Sequence, residues 1–196
     1  MRTADVAAPR VPLWPAAAAS VVLALAAFTV IIAASAGSAS DLADRNAAAV
    51  AIGEIDEHVL AGDRDALAIA VRNLGAIALL WGGAANGGML TVVAIAVLGV
   101  GVGWGGAAVV AALGPAETIA RIAPYIVFEL VAVVLATVAG LLPAVHALLI
   151  AVRRRPAPFR EYARALGSSL ALGCTAAALI IVAAAVEAIV IGAHGT

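Results

Sequence analysis

Arg121-Ile122-Ala123-Pro124-Tyr125-Ile126-Val127-Phe128-Glu129-Leu130-Val131-Ala132 opens an apolar run that continues to Val152. A helix needs roughly 20 residues to cross the hydrocarbon core, and 122–152 is longer than that, so it is tilted, kinked at Pro143, or extends past the membrane. Counting from Ile122, Glu129 lies ~10 Å inside the span at ~1.5 Å per residue. Ionisable side chains are rare at such depth, face the protein interior, and mark function. A second carboxylate, Glu187, stands in the last apolar stretch.

The rest of the chain supports a membrane setting. Of its 196 residues 65% are hydrophobic and the mean hydropathy is +1.13, whereas a soluble domain holds about 45–50% apolar residues. The expected fold class is therefore all-α: a single polytopic membrane domain of about five transmembrane helices. Spans are predicted over 16–36, 66–85, 89–113, 122–150 and 167–192. Residues 38–65 read as an extracytoplasmic, partly amphipathic helical segment, with Ser38 and Asp41 as its capping box. The weakest of these assignments is 66–113, where one re-entrant element competes with two spans.

The charges set the topology. All basic residues are arginine, and Arg153, Arg154, Arg155, Arg160 and Arg164 face only Glu161 in the stretch 153–164. Positive loops stay cytoplasmic. Counting spans back from this loop puts the N-terminus, with Arg2 and Arg10, in the cytoplasm and the C-terminus outside. The acidic segment falls outside and Gly82-Gly83-Ala84-Ala85-Asn86-Gly87-Gly88 inside. Ala34-Ser35-Ala36 resembles a signal-peptidase site, but the apolar run before it exceeds the ~7–15 residues of a signal core, which favours an uncleaved helix.

Several motifs invite sharper readings that the context does not support. Gly101, Gly103 and Gly106 fit G-x-G-x-x-G, yet no strand–helix unit with an acidic residue downstream accompanies them, so a nucleotide site is excluded. The glycines instead read as close helix packing: Gly83/Gly87, Gly99/Gly103 and Gly101/Gly105 are small-xxx-small pairs, and Gly140 joins them in the fourth span. Glu54, Glu57 and His58 share a helical face that could hold a metal, but a solvated acidic face is the better reading. His146 reads as a packed or interfacial histidine. Cys174, the only cysteine, reads as a small buried residue. No cofactor or metal is expected, and nothing suits a nucleic-acid surface.

With this topology Glu129 and Glu187 lie in the outer half of the membrane at similar depth. Asn73 and Arg72 sit at the outer end of the second span, and Arg121 at the mouth of the fourth. The economical arrangement is a polar cluster of Glu129, Glu187 and Asn73 with Arg72 or Arg121, because each buried carboxylate needs a proton, a cation or donors.

Over about 66–192 the pattern resembles the stage II sporulation protein M family. Arg72-Asn73-Leu74 looks like its Asn-Leu opening of the second span, and Gly82-Gly83 followed by Gly87 is similar to its double-glycine step. Gly99 and Gly103 fall on Asn-Gly-x-x-x-Gly, with Leu98 in place of the asparagine. Pro124, Glu129 and Ala132, then Ala139-Gly140, match Pro-His-Gly-x-x-Glu-x-x-Ala, with Tyr125 and Ile126 replacing His-Gly. Glu187-Ala188 resembles the closing Ile-Glu-Ala. The resemblance implies a polytopic membrane protein without known catalysis, whose name-giving member acts with septal peptidoglycan-remodelling partners.

Two functions compete. One is a non-enzymatic scaffold of a cell-envelope complex, with the lipid bilayer, other membrane or envelope proteins, or a further copy of the chain as partners. The other is a small proton- or cation-coupled transporter or channel using Glu129 and Glu187. An intramembrane enzyme is not expected, because the apolar helices carry no paired nucleophile and base and no H-E-x-x-H.

Overall fold

The computed structural model describes residues 12–45, 66–153 and 158–194. Its helices are α1 (Trp14–Arg45), α2 (Ala66–Gly82), α3 (Met89–Leu113), α4 (Pro115–Val152) and α5 (Pro158–His194), with one 3-10 turn at Gly83–Ala85 after α2. No strand occurs among the described residues, and all five helical segments are long and apolar enough to cross a membrane. The 66–113 region is two antiparallel spans rather than one re-entrant element.

The helix α4 organises the bundle. It packs against all four other helices, most extensively against α5. Every residue from Ala136 to Pro143 is buried, so this stretch of the helix is enclosed on all sides and needs no amphipathic stripe. Small side chains at Ala136, Ala139 and Gly140 let its neighbours close in. A Cβ added at Gly140 would collide with the Leu80 carbonyl of α2 and with the Thr91 hydroxyl of α3.

Turn chemistry fixes the reversals. Gly87 and Gly88 have φ of 71° and 89° before α3, a backbone that L side chains disfavour. Gly114 alone joins α3 to α4, with φ 80° and ψ 158°, and Pro115 follows at the first turn of α4, where a missing N–H leaves nothing unsatisfied. The polar stretch 116–121, which falls between the predicted spans 89–113 and 122–150, is thus the start of α4. Likewise α5 begins at Pro158, so half of the expected 153–164 loop is helical. Both helices overhang the bilayer: α4 has 38 residues, or ~57 Å of helix against a ~30 Å core. Pro143 does not interrupt α4.

At its far end α1 also outruns the expected span. Ser38 lies inside it and donates to the Ser35 carbonyl at 2.9 Å, so it caps no helix. Ala34-Ser35-Ala36 stays helical, with Ser35 buried against α3. The remainder of the predicted outer segment, with Glu54, Glu57 and His58, lies outside the described residues.

The glycines of α3 divide by face. A Cβ at Gly103 would stand 2.6 Å from Ser35 Cβ and 2.8 Å from the Ile32 carbonyl oxygen, and one at Gly99 2.7 Å from Ile31 Cγ2, all on α1. Gly83 meets Thr91. Gly87, expected to pack, meets nothing within 4 Å and serves the turn instead; Gly101 and Gly105 also face open space. Hence Gly103→Leu should destabilise the α1–α3 contact by about 1–3 kcal/mol, the usual penalty of overpacking, whereas Gly105→Leu should leave thermal stability in detergent unchanged or higher. Equal melting temperatures for the two variants would remove the close-approach account.

Candidate functional site

Three helices deliver the intramembrane polar groups. Arg72 and Asn73 come from α2, Glu129 from α4, and Glu187 from α5. Asn73 Nδ2 donates to Glu129 Oε1 at 3.2 Å. Glu187 and Arg72 both lie near enough to bear electrostatically on Glu129, and Arg72 on Glu187. Asn73 and both carboxylates are half-buried, whereas Arg72 is exposed. One oxygen of Glu187, Oε2, is enclosed with no hydrogen-bond partner among the described residues.

Arg121 does not join this group. Its Nε pairs with Glu117 Oε1 at 2.8 Å, one turn back on the exposed start of α4, because that turn lies where water competes and a local i,i+4 partner is available. Tyr125 takes the place instead, close enough to feel the charge of both carboxylates. Sequence reasoning passed over this residue. Two signals mark it: it precedes Glu129 by four residues, hence shares its helical face, and it stands where the family motif has histidine.

Two carboxylates and one guanidinium leave one negative charge uncompensated when all are ionised. A proton or a cation at the pair would balance it.

The opposite end of the bundle holds a second polar set. His146 is buried, and its Nε2 lies 3.3 Å from Glu161 Oε2; Arg164 Nη1 donates to Glu161 Oε1 at 2.6 Å. Tyr162 donates its hydroxyl to the Ala84 carbonyl at 2.6 Å and accepts from the Gly87 N–H at 3.1 Å. These bonds tie the start of α5 to the glycine turn, so both occupy the same side of the membrane. Between the ends, Trp81 Nε1 donates to Ser169 Oγ at 3.2 Å, and Ser169 donates to the Ala139 carbonyl at 2.7 Å. The Trp81 ring also lies on Gly173, which the sequence reading did not single out. Cys174 is exposed on the outer surface of α5, not buried as expected. Among the described residues no three His, Cys, Asp or Glu side chains gather as a metal site.

A helical bundle of this kind, with carboxylates inside its spans, is a multi-pass membrane protein. The family model of stage II sporulation protein M matches residues 18–190, and the chain belongs to that family. No curated protein matches the chain, nor does any solved structure.

The Asn73–Glu129 bond should be measurable by a double-mutant cycle. Asn73→Ala and Glu129→Ala should couple by about 0.6–1.7 kcal/mol, the range for interhelical hydrogen bonds in membranes. A cycle of Arg121→Ala with Glu129→Ala should return a coupling near zero. A reversed ranking in detergent unfolding would mean the wrong donor has been assigned.

Proposed function

We propose that the chain is a non-catalytic, partner-assembling component of a cell-envelope complex, with its N-terminus in the cytoplasm and its C-terminus outside. The observation that carries this reading is where its polar groups go. Asn73–Glu129, Trp81–Ser169–Ala139, Thr91–Leu80, His146–Glu161 and Tyr162–Ala84 each join one part of the chain to another. Such bonds hold a bundle in one shape, and a rigid apolar exterior is what a membrane partner would recognise. Family membership supports the same direction, since the family takes its name from a stage of sporulation.

The enclosed Glu187 Oε2 favours the second reading, a proton- or cation-coupled transporter, because an oxygen without a donor is a place for a proton or cation. A pyranine-loaded proteoliposome under a pH or sodium gradient separates the two. Under the scaffold reading, flux equals that of empty vesicles. Flux well above that level, lost in Glu129→Gln, would replace the scaffold with a transporter. In cells, a photo-crosslinker at Gly105 should yield a discrete adduct with an identified envelope protein, and its absence would count against assembly.

The topology has its own test. In a Cys174→Ser background, cysteines at positions 40–45 should react with a membrane-impermeant maleimide on intact cells, and cysteines at 158–164 only after permeabilisation. The reverse pattern would place the carboxylate cluster in the inner half of the membrane.

A further inference from the structure

Between α2 and α5 runs a groove of about 500 Å³, walled by Ala78, Trp81, Leu166 and Leu170. It shares Ala85 with a second hollow of about 490 Å³ at the helix ends, walled by Asn86, Phe159 and Tyr162. The two adjoin at Ala85 and together make up a seam along the α2–α5 boundary. From Phe159 to Leu170 its lining residues follow α5 for ~16 Å at ~1.5 Å per residue. Leu166 and Leu170 lie where α5 enters its apolar span, and Phe159 and Tyr162 on its overhanging first turns.

The chemistry along the seam is graded. Its deep end offers aliphatic side chains and the Trp81 ring. At its shallow end Phe159 is 81% exposed, beside the Asn86 amide. Arg153, the first residue past α4, and Arg160, next to Phe159, are exposed at this same end. The one carboxylate nearby, Glu161, is already engaged by Arg164 at 2.6 Å and faces His146 at 3.3 Å. No carboxylate among the described residues pairs with Arg153 or Arg160, so the mouth of the seam is positively charged.

We propose that this seam binds one anionic phospholipid of the leaflet on the arginine side. An acyl chain lies in the α2–α5 groove, and the phosphate is held at the mouth by Arg153 and Arg160. A zwitterionic lipid suits the site less well, because its ammonium would meet two guanidinium groups and no available carboxylate. The site is separate from the carboxylate cluster, which lies toward the opposite membrane face.

The seam supplies its own reporter, because Trp81 lines it and the chain has only three tryptophans. Replacing the exposed Trp14 and Trp104 by phenylalanine leaves Trp81 alone. In phosphatidylcholine vesicles, dibrominated phosphatidylglycerol should quench Trp81 at a mole fraction on the order of tenfold lower than dibrominated phosphatidylcholine, the scale set by two arginines at a membrane surface. Arg153→Gln with Arg160→Gln should bring that ratio near one, and Ala78→Phe, which fills the groove, should weaken quenching by both lipids. A protein with Trp104 as its only tryptophan should show no preference. The proposal is overturned by equal quenching of Trp81 by both lipids, by a preference that survives loss of both arginines, or by the same preference at Trp104. Quenching by neither lipid, as when polypeptide covers the seam, also overturns it. If Ala78→Phe does not fold, the arginine pair, both exposed, decides alone.

Discussion

A polar group inside a bilayer has no water to turn to, so it must find its partner within the protein. This constraint explains most of the specific contacts in the bundle. Pro143 lacks an N–H, and the carbonyl four residues earlier, Ala139, would lose its helical donor. Ser169 of α5 supplies one at 2.7 Å, and Trp81 of α2 completes the chain by donating to Ser169. A proline that might have broken α4 thereby becomes the point where three helices are joined. The end of α2 poses the same problem. The Leu80 carbonyl lies in its last turn, and Thr91 Oγ1 of α3 donates to it at 2.6 Å. Gly140 carries no side chain at the spot where that bond meets α4.

Small residues make these bonds reachable. A hydroxyl has a short reach, so a Ser or Thr can serve a neighbouring backbone only when the helices nearly touch. Gly83 and Gly140 provide that approach around Thr91, Gly173 accommodates the Trp81 ring, and Gly99 and Gly103 do the same for α1 against α3. Packing and polar satisfaction are therefore not independent contributions here. Filling a glycine notch would separate the very groups that leave no orphaned carbonyl.

Much of the fold could be read from length. Five spans follow from apolar runs, four of them longer than the ~20 residues a crossing needs and the second, 66–85, only just that long. What misled was polarity near helix ends. The stretch 116–121 is polar because α4 has left the bilayer, not because the helix has stopped, and Glu117–Arg121 even stabilises that exposed turn. The start of α5 repeats the pattern with Glu161 and Arg164. Within the candidate site, depth alone placed Glu129 and Glu187 together with Asn73, since two carboxylates facing lipid would each cost about 2.5–3.5 kcal/mol. Choosing between Arg72 and Arg121 needed the local competitor Glu117 to be weighed. Ser169 as the partner of Ala139 was legible only in half: Pro143 announces the orphaned carbonyl, but nothing local identifies a donor 30 residues away.

The substitution at position 125 bears on what the carboxylate cluster can do. Where the resembling motif has histidine, this chain has Tyr125, one turn before Glu129 on the same face of α4. Histidine can carry a positive charge near neutral pH, whereas a phenol offers one O–H donor and no cation. Arg72 is then the only cation of the group, and its long stem lets the guanidinium reach toward the interface while its charge still acts on both carboxylates. With a histidinium the cluster would be neutral. With tyrosine it retains one negative charge unless a proton or cation joins it. A histidinium would remove that imbalance but would itself have to be desolvated. The tyrosine brings no second cation to bury, and Glu187 Oε2, enclosed and without a donor among the described residues, is the atom of the pair left without a partner.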